Sequence, residues 1–377
     1  MRVLTVNAGS SSIRLDVFAA GSDTVLRVTS HHGPREDGAA ASVMREFLAR
    51  AGGEAVAAVS HRVVHGGERL VRPCVLDAAI EREIERLAPL APLHNLPALK
   101  WIRACRRALG GKVPQVAVFD TAFFAELPES ARTYALPQAL AAKHGLRRYG
   151  FHGIAHEAMW RRWRLLRPNI AGGGRVVSLQ LGAGCSITAI RDGRPLDTSM
   201  GFSPLEGLVM ATRSGDVDPG LLLYLQRAEG ISARRLERLL NEESGLRGVS
   251  GMSGDMRALL GSSAPAARLA VELYCRRARK YVGAYLAALG GADAILFGGG
   301  VGENAPDIRA RILDGMSWAG IELDPLRNRA ATQTPAALHG PNSRTGIYAL
   351  PVDESVILAE EAIALIAARC DTTLTAG

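Results

Sequence analysis

The sequence predicts an α/β protein built from two duplicated domains, and two observations lead to this prediction. A β-prone apolar run, a glycine turn and a second apolar run occur from Arg2 to Ile13 (RVLTVNAGSSSI) and again from Arg175 to Ser186 (RVVSLQLGAGCS). After each copy, helical and strand patterns follow one another, which is typical of a mixed sheet layered with helices. The order restarts at the second copy, which indicates duplication.

The elements of the two halves follow from hydrophobic periodicity and turn residues. The first half is predicted to contain, in order, strands near 2–7, 12–18 and 23–29, a helix near 39–51, a strand near 56–60, a helix near 77–89, a Pro-rich bend at Ala91–Pro97, a helix ending at Leu109 and a strand at Gln115–Phe119. The second half is predicted to contain a helix near 153–168, strands near 175–181 and 186–191, a turn at Asp192–Pro195, helices near 219–227, 233–241 and 265–289, and a strand at Ala294–Phe297.

The two repeated turns have the composition of phosphate-binding turns. Glycine allows close backbone approach to a ligand, so that successive N–H groups and hydroxyls point at anionic oxygens. Each turn also follows a side-chain amide, from Asn7 in the first copy and Gln180 in the second. The alternative is a pair of ordinary β-hairpins, because small residues are common in turns.

A third glycine cluster extends the argument from phosphate to nucleotide. Ile295–Asn304 reads ILFGGGVGEN, a buried strand that ends in glycines, and Pro306 lies in the first turn of the helix predicted to follow. This arrangement suits close contact with a nucleoside, and it matches neither the P-loop nor the dinucleotide-binding pattern. The three clusters together resemble the actin, Hsp70 and sugar-kinase superfold. That resemblance implies two ribonuclease-H-like (actin-like ATPase) domains with an active-site cleft between them, but it does not select a reaction.

Composition limits the class of protein. The 377 residues are 47% hydrophobic and 22% charged, enough for two cores. We expect neither a signal peptide nor a transmembrane segment. The five cysteines are scattered without CxxC spacing, which favours a reduced, cytoplasmic protein.

The net charge of +8 raises the possibility of nucleic-acid binding. Its candidate patches are Arg161–Arg167 (RRWRLLR) and Arg276–Lys280 (RRARK). Both lie in helical patterns without the exposed aromatic residues that single-strand binders use for stacking. We therefore interpret them as solvated helix faces in a protein whose overall field favours anionic substrates.

Five further blocks resemble the acetate kinase family. They occur in the family's order, and the resemblance extends from Val3 to about Glu354: HRVVHGGE at His61–Glu68, APLHN at Ala91–Asn95, VFDTAF at Val118–Phe123, RRYGFHGIAH at Arg147–His156 and DTSMGFSPLEGLVMATRSGDVDP at Asp197–Pro219. The resemblance implies reversible phosphoryl transfer between ATP and acetate, giving acetyl phosphate and ADP. It also implies Mg²⁺ (or Mn²⁺) as cofactor and a homodimer, with no nucleic-acid or membrane partner.

A short carboxylate offers one negative charge and a small apolar tail for recognition. A guanidinium matches carboxylate and phosphate oxygens geometrically, so Arg62 and Arg213 are the candidate cations, with a structural ion pair as the alternative. The resemblance places Arg62 at the acyl substrate. The residues that it implies around the acyl group are Val64, Leu93, His94, Phe151 and Pro204.

Phosphoryl transfer requires positioning and positive charge around the moving phosphate. The resemblance implies that Arg213 and His152 supply this charge in the transition state; the alternative for His152 is a buried, structural histidine. Asp120 matches the family residue assigned as an acid or base. Because attack by ionised acetate needs no base, we expect Asp120 to orient Arg62 or Arg213.

The resemblance also implies a metal site and a nucleotide site. The metal is expected near Asn7 and Glu354, although Glu354 also fits a helix-start acid. This pairing requires the C-terminal helix to fold back, so the predicted domains are 1–148 plus 352–377, and 149–351. The implied nucleotide-binding residues are Ser10, Ser12, Arg14, Gln180, Gly182, Gly184, Asp255, Met256, Arg257, Gly300, Gly302, Glu303 and Asn304.

Three positions depart from the family pattern. The second turn usually reads HLGNG, whereas residues 180–184 read QLGAG, so Gln180 and Ala183 replace a histidine and an asparagine. Loss of one charge-stabilising donor typically costs about 3–4 kcal/mol of barrier. Cys185 replaces the usual Ala or Ser, and Phe124 replaces the usual His.

Three alternatives remain from the sequence. Within enzymes, the competitor is a propionate or butyrate kinase. A nucleotide-binding paralogue with weakened catalysis is the second, and a nucleic-acid-binding protein, which rests only on the net charge and requires binding that weakens steeply with salt, is the third. A sugar kinase is disfavoured, because hydroxyl-rich substrates require clusters of Asp and Asn instead of arginines and histidines around an apolar pocket.

Overall fold

The computed structural model describes residues 1–9, 12–21, 24–35, 39–51, 55–331 and 335–374, without the side chains of residues 92, 93 and 370–374. The chain forms two compact units. The first contains Met1–Ala125, His152–Ile154 and the segment from Asp353 onward; the second contains Glu126–Phe151 and Ala155–Val352. The division falls earlier than the predicted boundary at residue 148, because Glu126–Phe151 bonds to the second unit, for example from Tyr149 N to Gly201 O at 3.0 Å.

The first unit is built on a six-stranded mixed sheet. Its strands are β1 (Arg2–Ala8), β2 (Ser12–Ala20), β3 (Val25–Pro34), β4 (Ala58–Val63), β5 (Cys74–Val75) and β6 (Gln115–Phe119). The spatial order is β3-β2-β1-β4-β6-β5, with β1, β4 and β6 parallel and the other pairings antiparallel. The ends of the parallel strands thus carry Asn7, Arg62 and Asp120 to one edge of this sheet.

Helices cover the first sheet because each turns an apolar face toward it. They are α1 (Ala40–Arg50), α2 (Ala78–Arg86) and α3 (Pro92–Leu109). Met44 and Phe47 of α1 and Trp101 of α3 are buried in one core cluster with β1 and β2. The bend predicted at Ala91–Pro97 is wrong: α3 already begins at Pro92, since proline at the first helical position loses no hydrogen bond.

The second unit repeats the sheet of the first. Its strands are β7 (Arg175–Leu181), β8 (Cys185–Arg191), β9 (Arg194–Thr198), β10 (Ala294–Gly298), β11 (Ala336–Ala337) and β12 (Gly346–Ala349). The order β9-β8-β7-β10-β12-β11 matches the first sheet strand for strand, with β7, β10 and β12 parallel. The predicted duplicated α/β fold is thereby confirmed.

The helices after residue 125 complete the secondary structure. They are α4 (Glu129–Arg132), α5 (Gln138–His144), α6 (Gly153–Leu166), α7 (Pro219–Glu229), α8 (Ala233–Glu242), α9 (Gly245–Ser250), α10 (Met256–Leu260), α11 (Pro265–Leu289), α12 (Gly299–Asn304), α13 (Pro306–Leu313), α14 (Pro325–Ala330) and α15 (Glu354–Leu374). The C-terminal helix α15 packs against β1 and β4 of the first unit. Glu354 is thereby brought back to the beginning of the chain.

Two local predictions need correction. The turn after β8 is tighter than predicted, because Asp192 and Gly193 both adopt positive φ (51° and 85°) and form a two-residue hairpin turn. Pro195 therefore lies in β9, which tolerates it as an edge strand. The glycines after β10 form the short helix α12 instead of an open turn, since the Glu303 side chain accepts a hydrogen bond from Gly299 N at 3.1 Å.

Among the residues that the structure describes, no helix combines the length and apolar character needed to cross a bilayer.

The basic run of α6 makes local contacts. Arg161 pairs with Glu157 at 2.6 Å, and Arg164 lies over the Trp160 ring. These arginines thus have local structural partners.

Three histidines are buried among hydrogen-bonding partners. His61 bonds to Gln115 at 2.7 Å, and His156 of α6 bonds to Ser178 of β7 at 2.9 Å and Ser186 of β8 at 2.8 Å. Burial lowers the pKa of His61 and of His65 to about 4 and that of His156 to about 3. All three rings are therefore neutral in the folded protein near pH 7.

We predict that acid destabilises the protein through these rings. Below pH 6.5 these histidines bind protons in the unfolded chain but stay neutral in the folded protein. When the pH is lowered from 7.5 to 5.0, each histidine should therefore reduce the free energy of unfolding by about 2 kcal/mol. Urea unfolding of the His156→Gln variant at both pH values should show a smaller pH dependence by about that amount. His144→Gln, which changes an exposed histidine, is the control. An unaltered pH dependence in His156→Gln would contradict the assignment.

Candidate active site

A buried ion pair lies at the edge of the first sheet. Arg62 in β4 donates from Nε to both carboxylate oxygens of Asp120 at 3.1 Å and from Nη2 to Oδ2 at 2.6 Å. The pairing of β4 with β6 places Asp120 beside Arg62, because both residues stand at the ends of adjacent parallel strands. Asp120 therefore orients the Arg62 guanidinium, which is one of the two arginines that the sequence suggested for this contact.

The remaining side of the guanidinium faces the first strand and the C-terminal helix. Arg62 Nη1 donates to Asn7 Oδ1 at 3.2 Å and lies 3.6 Å from Glu354 Oε2. Burial raises the pKa of Asp120, and the nearby Glu354 charge adds to this, although Arg62 opposes it. Burial would lower the pKa of Arg62, but the two carboxylates outweigh burial and raise it. Arg62 is thus permanently charged.

Asn7 and Glu354 meet although they lie at opposite ends of the chain. Asn7 Nδ2 donates to Glu354 Oε2 at 2.6 Å. Both line a cavity of about 400 Å³ in the first unit, whose walls are Asn7, Gly9, Ser12, Arg14, Ser30, His32, Arg62 and Glu354. Ser30 and His32 were not predicted, and Ser10 lies outside the described residues. Strand pairing aligns Asn7 of β1 with Arg14 of β2, and Arg14 with His32 of β3.

The oxygens of this pair fit a magnesium ion. Mg²⁺ prefers oxygen ligands and commonly binds through one or two carboxylates, several waters and substrate phosphates. Asn7 offers an amide oxygen and Glu354 a carboxylate, at the wall of a polar cavity. Within the described residues, no cluster of three or more His, Cys, Asp or Glu is arranged to hold a metal. Asn7 and Glu354 could supply two oxygen ligands to a divalent ion that keeps several waters.

Sequence reasoning missed a charge network that holds the start of α15. Asp16 is fully buried, and Arg14 Nε and Arg27 Nε each approach it at 2.9 Å. Arg27 also donates to Asp353, the residue before Glu354. Alternation in β2 was the available signal, because Asp16 shares a face with Arg14. Arg14, assigned to the nucleotide, thus also has a structural partner.

His152 stands where Asp120 meets the start of α6. Its φ of 59° lies in the left-handed region, which is uncommon for a residue other than glycine. Gly153 N donates to Asp120 O at 3.1 Å, and the Ile154 amide donates to the Asp120 carboxylate. Residue 153 must be glycine, because a Cβ there would lie 2.0 Å from Asp120 O. Close packing therefore fixes His152 beside Asp120.

The proposed acyl residues of the first unit are brought together by Asn95. Asn95 accepts from His65 N at 3.1 Å and donates to His65 O at 3.0 Å, which fastens the first turn of α3 to the chain after β4. Val64, which is buried, and His94 lie on these two segments. The Leu93 side chain lies outside the described residues. Phe151 is buried and belongs to the second unit.

Arg213 is the central cation of the second unit. Its Nη1 donates to Pro204 O at 3.0 Å and approaches Met210 Sδ at 3.8 Å. Burial lowers the pKa of Arg213, and no ion pair with a carboxylate accompanies it in the described parts of the chain. An arginine bonded only to neutral acceptors is suited to receive an anion.

The loop that carries Pro204 and Arg213 is held by groups that the sequence did not reveal. Glu206 accepts from Arg148 Nη2 at 2.6 Å and from the Tyr134 hydroxyl, and Phe202 N donates to that same hydroxyl at 2.8 Å. Burial raises the pKa of Tyr134, which keeps it a donor. These contacts fix the loop at Phe202 and Glu206.

The second repeated turn is closed by its backbone. Gly182 N donates to Gly184 O at 3.0 Å, much as Gly9 N donates to Ser12 O at 2.8 Å in the first turn. Ala211 N donates to Ala183 O at 3.0 Å, which links the turn to the Arg213 segment. The buried Gln180 Oε1 meets no hydrogen-bond donor in the described structure. The backbone of the second turn is therefore closed, although the family's usual histidine and asparagine side chains are replaced.

Cys185 and Phe124, the other two departures, are core residues. The Cys185 thiol donates to Gly182 O at 3.2 Å and lies 3.3 Å from the Tyr274 hydroxyl. Burial raises its pKa, so it is a neutral thiol that supports the turn. Phe124 is fully buried and packs edge-on against Phe123.

The predicted nucleoside residues fall into two groups. In α12, Asn304 Nδ2 donates to Gly300 O at 3.0 Å, and Glu303 accepts from Gly299 N and from Val352 N. Asp255 caps α10 through Arg257 N at 2.9 Å, and the Met256 side chain is buried. No described hydrogen bond or ion pair connects this second group, Asp255–Arg257, with Gly300–Asn304.

Comparison with known proteins agrees with this geometry. The Acetokinase family model matches residues 27–360. The chain is 42% identical to an acetate kinase of Solibacter usitatus over 97% of this chain and 98% of the relative. It is 34% identical to the crystal structure of Porphyromonas gingivalis acetate kinase, with a TM-score of 0.87 over 97% of this chain and 99% of the other.

A propionate kinase is similar to a comparable degree. The crystal structure of the enzyme from Francisella tularensis is 33% identical, with a TM-score of 0.86 over 96% of this chain and 98% of that one. Matches of this extent, from sequence and structure alike, establish membership of a family and not merely of a fold. The chain belongs to the acetokinase family, whose members are ATP:carboxylate phosphotransferases.

Proposed function

We propose that this protein transfers the γ-phosphoryl group of ATP to acetate, reversibly, giving acetyl phosphate and ADP. The observation that carries the proposal is the environment of Arg213. Burial desolvates its guanidinium, and its partners among the described residues are neutral. The loop that carries it is held by the bond from Arg148 to Glu206. Phosphoryl transfer is promoted mainly by positioning and by cations at the equatorial oxygens. The names of the relatives support acetate as the acceptor.

Arg62 is the proposed ligand of the acetate carboxylate. Asp120 accepts from Nε and Nη2, and Nη1 donates to Asn7, so the guanidinium is held in one fixed orientation. Val64, Leu93, His94, Phe151 and Pro204 are proposed to surround the methyl group. Propionate is the second candidate substrate, because the similar structure from Francisella tularensis is a propionate kinase.

In the proposed reaction, an acetate oxygen attacks the γ-phosphorus in line, the new O–P bond forms, and the bond to the ADP oxygen breaks. Arg213 and His152 stabilise the three equatorial oxygens. The left-handed backbone of His152 is a local strain of the kind found at functional residues. Asp120 is a positioning residue, because ionised acetate has no proton to lose.

ATP and a divalent ion complete the proposed assignment. Ser10, Ser12, Arg14, Gln180, Gly182 and Gly184 are proposed for the phosphates, and Asp255–Arg257 with Gly300–Asn304 for the nucleoside. Asn7 and Glu354 would hold Mg²⁺, which neutralises phosphate charge when bound. We further propose a cytoplasmic location, in line with the free thiols of Cys74, Cys105, Cys185 and Cys275. The proposed homodimer rests on the family resemblance alone.

We predict acyl phosphate formation by the purified protein. With ATP, Mg²⁺ and hydroxylamine as trap, acetate should give the hydroxamate, with a higher kcat/KM than propionate or butyrate, because most of the similar proteins are acetate kinases. Calorimetric titration with ADP is the control for nucleotide binding. Binding of ADP without hydroxamate from any of the three acids would refute kinase activity and favour the weakened paralogue.

We predict that Arg213→Ala lowers kcat by about a hundredfold or more while KM for ATP changes little, since its charge acts on the moving phosphate. Steady-state assays with saturating acetate would measure both parameters. Arg227→Ala, an exposed arginine on α7, is the control. An unchanged kcat would exclude the proposed role of Arg213.

We predict that restoring the family's side chains at the second turn increases turnover. The double variant Gln180→His, Ala183→Asn should raise kcat by about tenfold or more, because it returns two donors to a backbone cradle that is already formed. The two single variants would show whether the donors act together. No gain in the double variant would mean that other groups already replace them.

A further inference from the structure

A second arginine, for which the described residues provide no acidic partner, lies next to the glycine-rich helix α12. Arg309 of α13 is fully buried. Its Nη1 donates to Gly302 O and to Glu303 O, both at 2.8 Å. Its Nε donates to Asn328 Oδ1 at 2.8 Å and its Nη2 to Asn328 O at 2.9 Å. Four acceptors on α12 and α14 therefore converge on one guanidinium.

Stability alone does not explain this arrangement. A buried cation is costly unless it is well hydrogen-bonded, and burial lowers the pKa of Arg309 to about 10. An apolar side chain of similar length would often be as stable at such a position. The planar guanidinium of Arg309, in contrast, fixes the positions of the groups that it binds, because its N–H donors point in set directions.

The carbonyls that Arg309 binds are the ones that α12 leaves open. A helix of six residues has no internal donor for its last C=O groups, and α12 begins with two glycines, which cost more conformational entropy to order than other residues. Arg309 satisfies Gly302 O and Glu303 O from the side of the core. Asn328 is held in turn by its bond to Pro306 O at 2.9 Å.

We propose that Arg309 is a positioning residue for nucleotide binding, which orders Gly299–Asn304 before the nucleoside arrives. The inference rests on the proposed assignment of Gly300–Asn304 to the nucleoside. Ordering a loop in advance removes part of the entropy cost of binding, so Arg309 acts on nucleotide affinity. It touches neither the acid nor the moving phosphate, and kcat should be independent of it.

The test compares Arg309→Met with Arg311→Met, which changes an exposed arginine on the same helix. We expect the Kd for ADP, measured by calorimetry, to rise about tenfold in Arg309→Met, with the KM for ATP rising in parallel. We expect kcat at saturating ATP and the KM for acetate to stay within about twofold of the unmodified protein. Arg311→Met should leave all four values unchanged.

Hydrogen exchange provides a readout that does not depend on activity. Without nucleotide, the amides of Gly299–Asn304 should exchange faster in Arg309→Met, and saturating ADP should restore much of their protection. Arg309→Lys and Asn328→Ala extend the test if Arg309→Met does not fold, because each keeps part of the contacts. Both should raise the Kd for ADP by a smaller factor.

Two results would overturn the inference. One is an unchanged Kd for ADP and unchanged loop exchange in the folded variants. The other is a loss of kcat and acetate affinity as large as the loss of nucleotide affinity, which would indicate general disruption. Failure of the proposed function is distinguishable, because the unmodified protein would then bind no ADP or form no acyl phosphate.

Discussion

The first unit depends on the buried ion pair between Arg62 and Asp120. A buried pair is tolerated only when further hydrogen bonds satisfy both partners. Arg62 obtains them from Asn7 and approaches Glu354, while Asp120 accepts from the Ile154 amide. One ion pair thus joins the ends of two strands with the start of α6 and the start of α15. The return of the C-terminal helix to the first sheet completes this network.

Arg213 and Arg309 of the second unit both bond to neutral groups among the described residues, and their different environments indicate different roles. Arg309 is enclosed by four convergent acceptors and has no remaining surface for a ligand. Arg213 is only partly buried and bonds to one carbonyl, with a methionine sulfur nearby. The first is therefore suited to hold the protein backbone, and the second to meet a phosphate.

Duplication gave both units the same strand order, and a backbone hydrogen bond closes the glycine turn in each, but the side chains beside the two turns differ. Asn7 is engaged with Arg62 and Glu354, whereas the carbonyl oxygen of Gln180 has no donor within the described residues. Ala183, on the exposed tip, contributes only its backbone. The two turns therefore differ in the contacts of the side chains beside them.

The sequence by itself determined the duplicated α/β class, the family, and the residues at strand ends, because alternation, glycine turns and long motifs are local signals. It also implied that Asn7 and Glu354 share a site. Only the tertiary structure decided which groups support these residues. Asp16 pairs with Arg14. Glu206 holds the loop that carries Pro204, and Arg309 bonds to the last carbonyls of α12. Such contacts join segments far apart in the chain, and an isolated charged residue in a sequence does not reveal whether folding buries it or which carbonyl it will meet.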